Sequence, residues 1–136
     1  MLTARHSSAS PAPQTAGRYR GALLGLAVGD AFGTTLEYCL RDQSPLHTEM
    51  LGGGAFDVAP GEWTDDTTMA LCLAESLVAC QGFDPHNQMD RYVRWWQQGE
   101  MSCQGRCIDI GGVVVDVGRH DHDVQGFQGG VFGKGR

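Results

Sequence analysis

The 136-residue sequence has no long apolar run. Its longest, between Gly21 and Gly29, stops at Asp30, far short of the roughly 20 residues of a membrane-spanning helix, so no membrane partner is expected. Positive charge is scarce as well. Ten Lys and Arg face sixteen Asp and Glu, a formal net charge of −6, which is the wrong sign for affinity that comes from neutralising phosphates. Nucleic acid is therefore not an expected partner. No C-x-x-C pair occurs, and the five cysteines (Cys39, Cys72, Cys80, Cys103, Cys107) are an odd number, so they read as reduced thiols rather than a disulfide framework. Residues 1–16, rich in Ser, Ala and Pro, contain no apolar segment of the kind a secretory leader needs. These absences point to a cytoplasmic chain with one core, or part of a larger one.

Residues 1–16 have too little apolar side chain to offset ordering entropy, and Pro11 and Pro13 disfavour helix, so this segment reads as disordered. From Arg18 to about Glu37, Leu23, Leu24, Leu26, Val28, Ala31 and Phe32 surround the whole circumference of a helix, the pattern of an enclosed one. Gly21, Gly25, Gly29 and Gly33 recur every four residues and form a stripe along which another backbone could pass closely. A glycine- and proline-punctuated loop then leads into Trp63-Thr64-Asp65-Asp66-Thr67. A second helix is expected from about Asp66 to Gln81, stopped by Gly82, and a third from the Asp84 cap and Pro85 to Gly99. With no convincing strand, the fold class is all-α. Residues 111–136 hold eight of the twenty glycines and no Leu, Ala, Glu or Met, so 112–136 reads as an irregular Gly-rich tail, with Val113–Val115 as one short strand at most.

Asp65 and Asp66 are adjacent carboxylates in a first helical turn, where an N-cap at Thr64 or Asp65 and a favourable helix dipole already account for acidic residues. Their mutual repulsion gives a second reading. A hard divalent cation relieves it and prefers carboxylate and hydroxyl oxygens, to which Thr64 adds one.

The motifs G-x-x-x-G-x-x-x-G-D-A-x-G (Gly21 to Gly33), Glu37, G-G-G (Gly52 to Gly54), P-G-E-W-T-D-D-T (Pro60 to Thr67) and C-x-D-I-G (Cys107 to Gly111) follow one another in this order. Together they resemble the N-terminal part of an ADP-ribosylglycohydrolase, the family that includes the dinitrogenase reductase-activating glycohydrolase. The resemblance implies that residues 17–111 form part of an all-α, orthogonal helical bundle. It also implies two Mg²⁺ or Mn²⁺ ions in a cleft and hydrolytic removal of ADP-ribose from a modified protein side chain or a related small compound. The metal ligands it carries over are Thr64, Asp65 and Asp66, with Glu37 beside the ions, and Asp109 matches a functional carboxylate. Asp109 or Glu37 is the expected general base, with a water activated by the ions as nucleophile. Gly52, Gly53 and Gly54 are expected to bring backbone N–H groups near ribose or pyrophosphate, the plain alternative being a flexible connector. Asp30 is expected to tie helix ends together as an acceptor of backbone hydrogen bonds.

The family's second acidic segment has no counterpart after Gly111, and the Gly-rich text from Gly112 is consistent with a shifted reading frame. The sequence thus predicts a fragment with little or no turnover, or a non-catalytic module binding ADP-ribose or metal weakly. An uncovered apolar face prone to self-association is also expected. Cys103, Cys107, His120 and His122 form a poor zinc pattern, because one residue between the histidines is too few. Trp95, Trp96 and Tyr92 read as core, and His47 and His86 as surface residues without partners.

Overall fold

A computed structural model describes residues 13–44 and 46–111. Three helices carry the fold, and no strand is present among the described residues: α1 spans Pro13–Gly33, α2 Asp65–Cys80 and α3 Pro85–Gln98. Two short 3₁₀ turns, Thr34–Leu36 and Gly54–Phe56, lie between α1 and α2. The expected all-α class is what the chain adopts.

α1 begins at Pro13, inside the segment expected to be disordered. Proline is tolerated at the first helical position, where its missing N–H has no intrahelical partner to lose. α2 ends differently from expectation too. Gln81, not Gly82, takes the left-handed conformation (φ 53°), while the Gly82 amide reaches back to the Leu77 carbonyl at 3.1 Å. That pairing satisfies a terminal carbonyl whichever residue bears the left-handed turn. α3 follows its sequence signals: Asp84 accepts from the Asn87 amide at 3.1 Å, Pro85 opens the helix, and Gly99 (φ 72°) ends it.

The core lies between α2 and α3. Trp95 is fully buried with Cys72 and Tyr92, and Met69, Met89, Met101, Cys107 and Ile110 pack around them. The expected core role of Trp95 and Tyr92 holds. Gly99 is indispensable to the turn that brings residues 100–110 back over this core, since a Cβ there would sit 2.1 Å from the Gly105 carbonyl carbon.

α1 departs from the enclosed helix that its composition predicts. Leu24 is 67% and Val28 55% exposed, with Tyr19 and Leu23 also open, and only Ala31 is buried. Nor does another backbone run along the glycine stripe: a Cβ added at Gly21, Gly25, Gly29 or Gly33 would meet nothing within 4 Å among the described residues. A helix apolar on every side needs cover on every side, and α2 supplies one. Among the described residues, the uncovered apolar face expected from the sequence is present. Residues 112–136, including the Val113–Val115 strand and the tail, lie outside the described residues, as do residues 1–12.

Candidate active site

Asp30, near the end of α1, organises the site. Its carboxylate accepts the Thr64 amide at 3.1 Å, the Thr64 hydroxyl at 2.7 Å, the Thr67 amide at 3.0 Å and the Thr67 hydroxyl at 2.7 Å. Thr64 stands at the N-cap position of α2 but makes no capping bond with its own side chain. A carboxylate from another helix caps α2 instead, satisfying orphan amides and facing the positive end of the dipole. Asp30 is thus the tie expected of it. Thr64 is buried, and because its hydroxyl donates to Asp30, the lone pairs of its oxygen remain available.

Pinning α2 this way sets Asp65 and Asp66 in its first turn, near Glu37, which follows the 3₁₀ turn after α1. Asp109 joins them from the segment that returns over the core, its backbone left-handed at φ 45°. Glu37 and Asp109 act on one another through their side chains. The Glu37 carboxyl is pushed up to about 7 by burial, then by Asp109, Asp65, Asp30 and Asp66. Asp65 is raised to about 6, first by burial and then by Asp109 and Asp66. Burial raises Asp109 too, with Asp66 and Asp30 adding to it, against a lowering effect of Glu37. Four expected site residues, drawn from three separate stretches of sequence, therefore share one acidic locus.

An open cleft of about 420 Å³ adjoins it, lined by Gly25, Leu26, Gly29, Asp30, Gly33, Thr34, Glu37 and Asp66. Gly25, Gly29 and Gly33 of the glycine stripe, which no described backbone covers, form part of this lining. Thr34, a residue that sequence reasoning passed over, lines the cleft while 1% exposed, and its hydroxyl has no hydrogen-bond partner. Tyr38 was missed as well. It directly follows Glu37, and its hydroxyl is raised by Asp109, burial, Glu37 and Asp65. Neither residue has a spacing signal; their adjacency to Glu37 was the available hint.

Gly52, Gly53 and Gly54 sit on the other side of the 3₁₀ turn. Gly53 and Val58 exchange backbone hydrogen bonds, 2.6 Å from the Gly53 amide and 3.2 Å in return. The Thr35 hydroxyl donates to the Gly52 carbonyl at 3.1 Å, and a Cβ at Gly54 (φ 70°) would lie 2.9 Å from Thr35 backbone. Part of the glycine requirement is thus close packing of this loop on the Glu37 segment, and the Gly53 amide is engaged within the loop.

Oxygen donors alone, two of them raised by like-charge crowding and burial, suit Mg²⁺ or Mn²⁺. Among the described residues, no group of three or more His, Cys, Asp and Glu stands close enough to hold an ion. The donor chemistry fits, in an arrangement looser than a closed ligand shell. A thiolate zinc site gains no support: Cys103 donates to the Trp63 carbonyl at 3.1 Å, and burial, followed by Asp65 and Asp109, pushes the Cys107 thiol up to about 11. His120 and His122 lie outside the described residues. His47, expected to lack a partner, meets Phe32 with ring centroids 4.7 Å apart and planes tilted by 58°, and its Nε2 is 3.2 Å from the Phe32 carbonyl.

Residues 11–133 match the sequence pattern described as ADP-ribosylglycohydrolase. The chain belongs to the ADP-ribosylglycohydrolase family. That match continues past Gly111, where the motifs end. The chain is 52% identical over 102 residues to ADP-ribosylarginine hydrolase Tri1 of Serratia proteamaculans, covering 74% of this chain and 27% of that protein. It is 37% identical over 103 residues to ADP-ribosyl-[dinitrogen reductase] glycohydrolase of Rhodospirillum rubrum, covering 73% and 33%. A solved structure titled ADP-ribosylglycohydrolase-related protein complex superimposes with a TM-score of 0.57 at 55% identity, over 61% of this chain and 29% of that one. The chain therefore spans about a quarter to a third of the length of these relatives.

Proposed function

We propose that this chain contributes the N-terminal share of a metal-dependent hydrolase site that removes ADP-ribose from a modified protein side chain, with arginine as the linked residue. The reading is carried by one observation: Glu37, Asp65, Asp66 and Asp109 act on one another at the rim of an open cleft, and Asp30 fixes the helix that bears two of them. The arginine linkage is supported by relatives more than half identical to it, the ADP-ribosylarginine hydrolases Tri1 of Serratia proteamaculans and Pseudomonas putida.

Thr64, Asp65, Asp66 and Glu37 would hold the divalent ions. Divalent ions held by these residues would supply Lewis acidity at the ribose hydroxyls and a more acidic water. Cleavage of the bond between the anomeric carbon and the side-chain nitrogen builds oxocarbenium character, which the carboxylates stabilise electrostatically. The attacking water must lose a proton, and Glu37 or Asp109 receives it. Glu37, raised to about 7 by burial and by Asp109, is matched to that task at neutral pH. Gly52 to Gly54 pack against the Thr34–Thr35 backbone that leads to Glu37, and in this reading the loop offers backbone to the sugar or pyrophosphate. A cytoplasmic site of action goes with this reading.

A second reading, a non-catalytic module binding ADP-ribose or metal weakly, is favoured by the loose ligand arrangement among the described residues. Titration of Mg²⁺ or Mn²⁺ against ADP-ribosylated arginine substrate separates the two. Release of free ADP-ribose that Asp65→Asn abolishes supports the hydrolase. Identical behaviour of wild type and Asp65→Asn overturns it.

A further inference from the structure

Asp109 reaches the acidic turn of α2 on a segment, residues 99–110, that forms no helix or strand of its own. Gly99, Met101, Gly105 and Asp109 all take left-handed backbone there, so the segment turns repeatedly and contacts outside it must fix where Asp109 ends. Apolar packing does part of this. Ile108 is buried, and Cys107 and Ile110 pack on the core, but such contacts are non-directional.

Two polar ties add direction. The Cys103 thiol donates to the Trp63 carbonyl at 3.1 Å, and the Gln104 side-chain amide donates to the Glu62 carboxylate. Both acceptors lie in the loop that runs straight into Thr64, Asp65 and Asp66. Glu62 is a firm anchor: its carboxylate also accepts the Ala59 amide at 2.7 Å, and its own amide donates to the Ala59 carbonyl at 3.0 Å. On the other side, the Gln104 backbone amide donates to the Ser102 hydroxyl at 3.4 Å, and the Ser102 amide to the Gly99 carbonyl at 3.1 Å. The tie therefore joins two turns that are each already closed, and its ionised acceptor makes it stronger than a neutral pair. Neither Glu62 nor Gln104 lines the cleft.

We propose that Gln104 is a positioning residue, whose bond to Glu62 locks the loop entering α2 to the segment bearing Asp109 and so holds the carboxylates of both at the spacing divalent ions need. The inference rests on the reading that these carboxylates form a metal-dependent site, and deepens it by naming what sets their separation.

Mn²⁺ binding to the full chain, followed by loss of the free-ion paramagnetic resonance signal, tests this, with urea midpoints measured beside it. Gln104→Glu sets carboxylate against carboxylate and opens the tie, yet it adds a negative charge, which by itself draws cations in. The tie predicts Mn²⁺ affinity lowered about three- to tenfold, somewhat less than the loss of a group bonded directly to a metal ligand. Charge alone predicts a rise. Adding Glu62→Gln to Gln104→Glu rebuilds the pair with its partners exchanged and should bring the affinity back to within about twofold of wild type. Gln104→Ala, which removes the donor without adding charge, should also bind Mn²⁺ more weakly, and decides the matter if the urea transition shows that Gln104→Glu does not fold. Affinity level or raised in Gln104→Glu overturns the inference, as does a double variant that binds no better than Gln104→Glu, or unchanged affinity in Gln104→Ala. Wild type that binds no Mn²⁺ overturns the underlying reading and this inference with it, and is distinguishable because no variant enters that arm.

Discussion

The Asp30 carboxylate accepts the hydroxyl of Thr64 at 2.7 Å across 34 residues of sequence, and through this bond and its companions to Thr67 the first helix positions the acidic turn of the second. Asp30→Ala strips a charged acceptor from four donors and should destabilise the chain by about 3 kcal/mol, lowering the melting temperature by roughly 10–20 °C. Thermal unfolding followed by circular dichroism measures it. A shift near zero would mean that α2 caps itself.

In the absence of divalent ions, stability should fall as pH rises from about 4 to 7. The folded chain retains the Glu37 proton to about pH 7 and the Asp65 proton to about 6, whereas their ordinary values are 4.5 and 3.8. The folded state therefore binds more protons than the unfolded state across this window, and each upward step in pH favours unfolding. Urea midpoints in EDTA at pH 5 and pH 8 give the comparison, and Glu37→Gln should flatten the difference. Added Mg²⁺ should raise the midpoint chiefly at the higher pH.

Two glycines with nearly the same backbone should respond differently to alanine. Gly99 and Gly105 have φ of 72° and 66°, but a Cβ at Gly99 collides with backbone and one at Gly105 meets nothing within 4 Å. Gly105→Ala should cost about 1–2 kcal/mol for the left-handed conformation alone. Gly99→Ala should add about 1–3 kcal/mol of overpacking. Equal denaturant midpoints for the two variants would contradict the close approach of residue 105 to the end of α3.

The open face of α1 should make the isolated chain self-associate. Leu24→Glu places a charge on that face at little cost to the fold, since Leu24 is largely exposed. Sedimentation velocity across a concentration series should show wild type growing in mass and Leu24→Glu remaining smaller. Indistinguishable profiles would exclude this face as the contact.

Much of the local structure was legible in the sequence because it depends on near neighbours. Asp84, Pro85 and Gly99 bound α3 by rules that operate within one turn, and the glycine-punctuated loop before Thr64 is equally local. The motifs also marked Glu37, Asp65 and Asp109, although no spacing reveals that a residue at 37 and one at 109 act on each other's charge. The exposure of α1 ran against its composition. Hydrophobicity reports that a helix needs cover, whereas its partners in space decide whether it receives any.

By itself, the sequence determined an all-helical chain, the ends of α3, the acidic charge and the order of the motifs, all consequences of side-chain type and spacing along the chain. Only the tertiary structure decided that Asp30 caps a helix other than its own, that Glu37 keeps its proton to about pH 7, and that Tyr38 stands exposed against Phe56 beside the carboxylates. The reason is physical. Capping in trans, like-charge crowding and desolvation depend on distances between residues far apart in sequence, and those distances exist only once the helices pack.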